Sequence, residues 1–121
     1  MSRIVRKYYL LTKIIPKKPY CFAYSSISNL EKKLRVKNVV NFKQYLSLCT
    51  GWHNTARHDT RGQVVTDITP EKFYKTVDVQ YKRSAEMENE FLFINAWNEW
   101  AEGMYLEPAE RWGTAYLEAI K

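Results

Sequence analysis

Strand and helix signals alternate from Tyr45 to the end of this 121-residue chain, which predicts an α/β fold with a parallel sheet. Three observations carry that reading. Tyr45-Leu46-Ser47-Leu48-Cys49 and Phe91-Leu92-Phe93-Ile94 are compact apolar runs of strand length. Thr69-Pro70-Glu71 opens a helix between them, with a hydroxyl at the N-cap, proline in the first turn and an acid beside it. Beyond Pro108, Trp112, Tyr116 and Ile120 step by four with Leu117 alongside, an amphipathic helix after the second strand.

The elements follow in order. Ile4, Tyr8, Leu11 and Ile15 form a helical stripe that Pro16 ends. Tyr20 to Tyr24 is an aromatic-rich candidate strand, and Ser28-Asn29-Leu30-Glu31 fits a capping box on a short basic helix. Trp52 to Gly62 reads as a polar loop, and Val64-Val65 as a brief extended piece. In the helix opened by Thr69, the residues Phe73, Val77 and Tyr81 mark one apolar face. Phe91 to Ile94 lacks polar alternation, as a strand covered on both faces does.

Composition narrows the class. With 45% hydrophobic and 15% aromatic residues but only 4 Gly and 4 Pro, the chain is neither disordered nor low in complexity. Its +6 formal charge is unevenly placed: residues 1–43 hold 11 basic residues and one acid, whereas residues 44–121 hold 8 basic and 12 acidic. The first part admits a basic module that binds nucleic acid or an anionic membrane surface, but no recognised nucleic-acid motif accompanies it, and charge runs are commonly solvated faces. We therefore expect no nucleic-acid partner. Cys21 and Cys49 are far apart and outside any CxxC spacing, so a disulfide framework is not expected and a reducing, cytoplasmic setting is. The run Tyr8-Tyr9-Leu10-Leu11 is too short for a signal peptide or a transmembrane segment.

Chemistry concentrates where the second strand ends. Asn95 to Pro108 contains three carboxylates, two indoles and two carboxamides. Functional groups of parallel α/β folds collect at such strand ends. On a helical turn, Glu99 and Glu102 leave one face with Cβ atoms about 5–6 Å apart. Their repulsion favours one protonated and one ionised partner, the arrangement glycosidic-bond cleavage requires. Trp97 and Trp100 offer flat apolar faces to sugar C–H groups, and Asn95 and Asn98 offer hydrogen bonds to hydroxyls. Glutamates after a strand also serve as helix-start acids or solvated loop charges, and tryptophans as core. Composition leaves both readings standing.

The run Ile94-Asn95-Ala96-Trp97-Asn98-Glu99-Trp100-Ala101-Glu102-Gly103, with Leu106-Glu107-Pro108 and Trp112 to Ala119 behind it, resembles the C-terminal end of the WbsX-type polysaccharide-biosynthesis proteins. These are described as glycosyltransferases and are related to glycoside hydrolase family 99. Gly51 to Arg57, Arg61-Gly62 and Thr69 to Phe73 match the preceding block of the same family, which usually has Asp where this chain has His53 and often Pro where it has Ala56. The resemblance implies a (β/α)8 barrel and a retaining activity on α-mannosidic linkages. It makes Glu99 the base that deprotonates the sugar 2-hydroxyl, and Glu102 the acid that protonates the leaving oxygen. It places Trp97, Asn98, Trp100, Tyr105 and Glu107 around the sugar, with Trp52, Asn54 and Arg57 reaching it from the neighbouring strand end. It calls for no cofactor. No metal site is read either, because His53 and His58 lack a third ligand at metal spacing.

A (β/α)8 barrel takes about 250 residues. At 121, the chain is expected to supply only C-terminal βα units of an incomplete TIM-type barrel: residues 43–121 carry the active-site loop, and residues 1–42 form a basic connecting region and a partial unit. The expected partners are a carbohydrate substrate and the missing N-terminal barrel part. A truncated, non-catalytic remnant is the competing reading.

Overall fold

The computed structural model describes residues 18–26, 29 and 43–121. The stripe from Ile4 to Ile15 and the capping box at Ser28 lie outside the described residues, as does most of the 1–42 region. The described elements are β1 (Tyr20–Ala23), β2 (Ser47–Cys49), α1 (Thr55–His58), a 3-10 turn (Asp59–Arg61), β3 (Gln63–Thr66), α2 (Pro70–Glu86), β4 (Phe93–Asn95), β5 (Asn98–Glu99), a second 3-10 turn (Trp100–Glu102), β6 (Met104–Tyr105) and α3 (Ala115–Glu118). The α/β class predicted from the alternation is what forms. β1 pairs with β3 and β2 with β4, both parallel, while β5 and β6 make an antiparallel hairpin. The described strands pair two by two rather than as one continuous sheet.

α2 begins where the sequence places it. The Lys72 amide donates to Thr69 Oγ1 at 3.4 Å, and Pro70 occupies the first turn, where its missing N–H costs nothing. The Thr69 hydroxyl also holds the Glu71 carboxyl below its ordinary range, with the Glu71 amide acting the same way.

One face of β2–β4 builds the core. Leu48 and Phe73 are fully buried and join Leu106, Tyr116 and Ala119, with Leu92, Ile94, Val77, Trp112 and Leu117 packed against them. The Phe73 and Tyr116 rings meet at 5.3 Å and 52°, a tilted arrangement aromatic quadrupoles favour. Burial pushes the Tyr116 hydroxyl up to about 12, with Tyr105 and Tyr24 nearby adding to the shift. A phenol that ionises near 10 when unfolded and near 12 when folded stabilises the fold fully below about pH 10, and that contribution is lost as pH rises toward 12. Denaturant midpoints should therefore fall between pH 10 and 12, and Tyr116→Phe should flatten that fall.

Four sequence expectations are corrected. Tyr81 is 67% exposed; the buried stripe of α2 runs instead through Pro70, Phe73, Thr76, Gln80 and Ser84. The polar stretch from Trp52 to Gly62 is not all loop, since it holds α1 and the first 3-10 turn. The helix after Pro108 is short: a turn closes between Ala109 and Gly113, and regular helix begins only at Ala115. The run from Phe91 is covered on one face only. Leu48 and Ile94 point into the core, while Phe93 on the alternate face is 56% exposed and meets the exposed Tyr45 ring edge-on at 5.9 Å. Tyr45 also hydrogen-bonds Glu90, which Lys43 pairs at 2.9 Å. Among the described residues no helix is long and apolar enough to cross a membrane.

Candidate active site

Because β2 and β4 are parallel neighbours, the segments that follow them leave the sheet side by side. Thr50 ties them at once, its amide and hydroxyl both donating to the Asn95 carbonyl, at 2.8 and 3.2 Å. Further out, the His53 amide donates to the Glu102 carbonyl at 2.7 Å. Two glycines allow this approach. A Cβ on Gly51 would sit 2.7 Å from the Gly103 carbonyl oxygen, and one on Gly103 would sit 2.8 Å from His53 Cβ. Gly103 also holds φ at +62°, which L side chains adopt at a cost of about 1–2 kcal/mol. Gly103→Ala should therefore lower stability by about that cost or more, read as a shift in the denaturant midpoint, and should loosen the turn that carries Glu102.

The carboxylates do not share the α-helical face that their spacing predicts. Glu99 ends β5 and Glu102 ends the 3-10 turn, so a hairpin tip presents them. What brings them together is Arg57 of α1. Its Nη1 donates to Glu102 Oε1 at 2.9 Å, and its Nη2 lies 3.6 Å from Glu99 Oε1. The Glu102 side chain is 19% exposed and that of Glu99 45%, so one carboxylate is largely enclosed and the other open.

The other predicted site residues fall into two groups. Around the hairpin, Trp100 stacks on Tyr105 at 4.0 Å and 15°, and its indole N–H donates to Glu107. Asn98 faces Tyr105 across the hairpin. Trp97 is exposed, and its carbonyl accepts from the amides of Leu106 and Glu107 at 2.9 and 3.1 Å. On the β2 side, Asn54 is buried and its Oδ1 accepts the Gln63 amide at 2.7 Å, while the Trp52 carbonyl accepts from Val65 at 2.7 Å. Both therefore tie the loop to β3, and Arg57 is the β2-side residue whose side chain reaches the carboxylates. Sequence reasoning placed Arg57 at the site without its tie to the glutamates. The available signal was an arginine after one parallel strand facing an acid pair after the next.

Arg57 and the two glutamates thus lie on segments that follow two parallel neighbouring strands, where functional groups of parallel α/β folds collect. The WbsX glycosyltransferase family model matches residues 2–120, and the chain belongs to that family. It is 32% identical over 95 residues to the protein WxcX in each of two strains of Xanthomonas campestris pv. campestris. That match covers 76% of this chain but 14% of the WxcX length. No solved structure matches the chain.

Proposed function

We propose that this chain carries the acid–base site of an enzyme that makes or breaks glycosidic bonds of a surface polysaccharide, with α-mannosidic linkages as the leading class. The observation that carries the reading is the joint hold of Arg57 on Glu99 and Glu102 at the ends of a parallel strand pair. Two carboxyl groups on one reacting centre can divide the work of acid and base.

In this reading Glu99 takes the proton of the sugar 2-hydroxyl as O2 attacks C1. The bond from C1 to the leaving oxygen breaks as Glu102 gives that oxygen its proton, leaving a 1,2-anhydro sugar. Glu102, now ionised, takes a proton from the incoming hydroxyl, whose oxygen opens the three-membered ring at C1. Glu99 returns its proton to O2. Two inversions at C1 give net retention, and neither glutamate bonds to carbon. Water as acceptor gives hydrolysis and a sugar hydroxyl gives transfer. The exposed Trp97 and the outer face of Trp100 supply flat apolar surface for sugar C–H groups, while Asn98, Tyr105 and Glu107 supply hydrogen-bonding groups beside it.

Residues 43–121 are then the last βα units of a (β/α)8 barrel, with residues 1–42 a connecting region and a partial unit. The uncovered face bearing Tyr45 and Phe93 supports this, because an interior strand face is filled by the side chains of other barrel strands. A reducing, cytoplasmic setting belongs to the same reading, and no disulfide joins Cys21 to Cys49. The test is glycoside turnover by the complete polypeptide, with the preceding units present, and its loss on Glu99→Gln or Glu102→Gln.

A further inference from the structure

We infer that Arg57 is a positioning residue of the carboxylate pair, setting the relative placement of Glu99 and Glu102 rather than binding sugar. The inference rests on the acid–base reading above and adds to it the group on which the pair depends.

The base of Arg57 is fixed independently of its contacts. α1 is tied at its start, where the amides of Arg57 and His58 donate to the Asn54 carbonyl at 3.1 and 3.2 Å. Asn54 is itself buried and bonded to the Gln63 amide. A Cβ on Gly62 would fall 2.8 Å from Thr55 Cα, so the helix lies directly on the backbone entering β3. A guanidinium on such a mount presents its planar fork in a set direction. Its two Nη atoms go to different carboxylates, which fixes the distance between them as a contact to one carboxylate would not. The hairpin tip is held at the same place by the bond from the His53 amide to the Glu102 carbonyl.

Stability does not account for the arrangement. The Arg57 side chain is 54% exposed, and ion pairs at that exposure contribute little to folding. Position matters far more to chemistry, where a displacement of about 1 Å can cost a hundredfold in rate.

The experiment uses the complete polypeptide, a panel of α-glycosyl fluorides that includes mannosyl fluoride, and fluoride release as the readout. Arg57→Gln should lower kcat about a hundredfold and leave KM nearly unchanged. Arg57→Lys keeps the charge but lacks the fork, so its loss should be smaller than that of Arg57→Gln and still measurable. Added guanidinium ion should restore part of the rate to Arg57→Ala. The denaturant midpoint of each variant should stay at the wild-type value, which separates misplacement from unfolding. A rise in KM at constant kcat would make Arg57 a sugar contact and overturn the inference, as would unchanged kinetics. The two failures are distinguishable: if Glu99→Gln keeps full activity on the fluorides and Glu102→Gln keeps it on an unactivated glycoside, the acid–base reading itself falls, whatever Arg57 does.

Discussion

Glu102→Gln in the complete polypeptide is expected to lower turnover of an unactivated glycoside by about 10²–10⁴-fold, the usual contribution of a positioned general acid or base. Glutamine keeps the size and a hydrogen-bonding end but has no proton to give. The loss should appear in kcat, because the proton moves only as the bond breaks. Glu102 is the acid in the proposed reading. It is the more enclosed of the two, and three ties hold it: the Arg57 guanidinium on its carboxylate, the His53 amide on its carbonyl, and the tight turn at Gly103. Glu99, more open on the hairpin, stands where a substrate hydroxyl can approach it from solvent. Glu99→Gln should cost a comparable factor, through loss of the base. Retention of most activity by either variant would remove that residue from the chemistry.

Phe73→Ala is expected to destabilise the chain by about 3–5 kcal/mol, the range for emptying a fully buried aromatic position. Phe73 has no exposed surface and lies in one cluster with Leu48, Leu106 and Tyr116, so truncation leaves a void among α2, β2 and the segment that closes the hairpin. A domain stable by about 5–15 kcal/mol would lose a large part of its margin. Tyr81→Ala on the same helix is the control, and should change stability by about 0.5 kcal/mol or less because the ring is exposed. Denaturant midpoints for the two variants measure the contrast. Equal shifts would mean that α2 packs through the Phe73-Val77-Tyr81 face read from spacing.

That contrast shows which parts of the fold were legible. The start of α2 was readable because an N-cap hydroxyl and an early proline act within one turn of chain. Its buried face was not. Steps of four accumulate a drift, so Tyr81 lies about 80° around the helix from Phe73, whereas Gln80 and Ser84 lie within about 20° of it. The polar Thr76, Gln80 and Ser84 are buried because tertiary contact selected that side. Similarly, Phe93 looked like a residue covered on both faces, since an apolar run does not reveal which neighbours are present.

The site divides in the same way. The Trp-Asn-Glu-Trp-Ala-Glu-Gly run is contiguous, so its carboxylates, indoles and position after a strand could be read directly. Their local geometry could not, because a hairpin and a 3-10 turn satisfy the same three-residue spacing as a helix. The link from Arg57 to Glu102 spans 45 residues and exists because β2 and β4 pair in one register. No local pattern carries that information. Gly51 and Gly103 carry a trace of it, since each is the residue without a side chain where the two segments touch.

The most direct test of the assigned roles is the dependence of kcat/KM on the leaving group for Glu99→Gln and Glu102→Gln in the complete polypeptide. As the leaving group becomes more acidic it needs less protonation, so the account predicts that Glu102→Gln recovers toward wild type along the series while Glu99→Gln stays depressed throughout. Parallel dependence in the two variants, or recovery in Glu99→Gln instead, would contradict it.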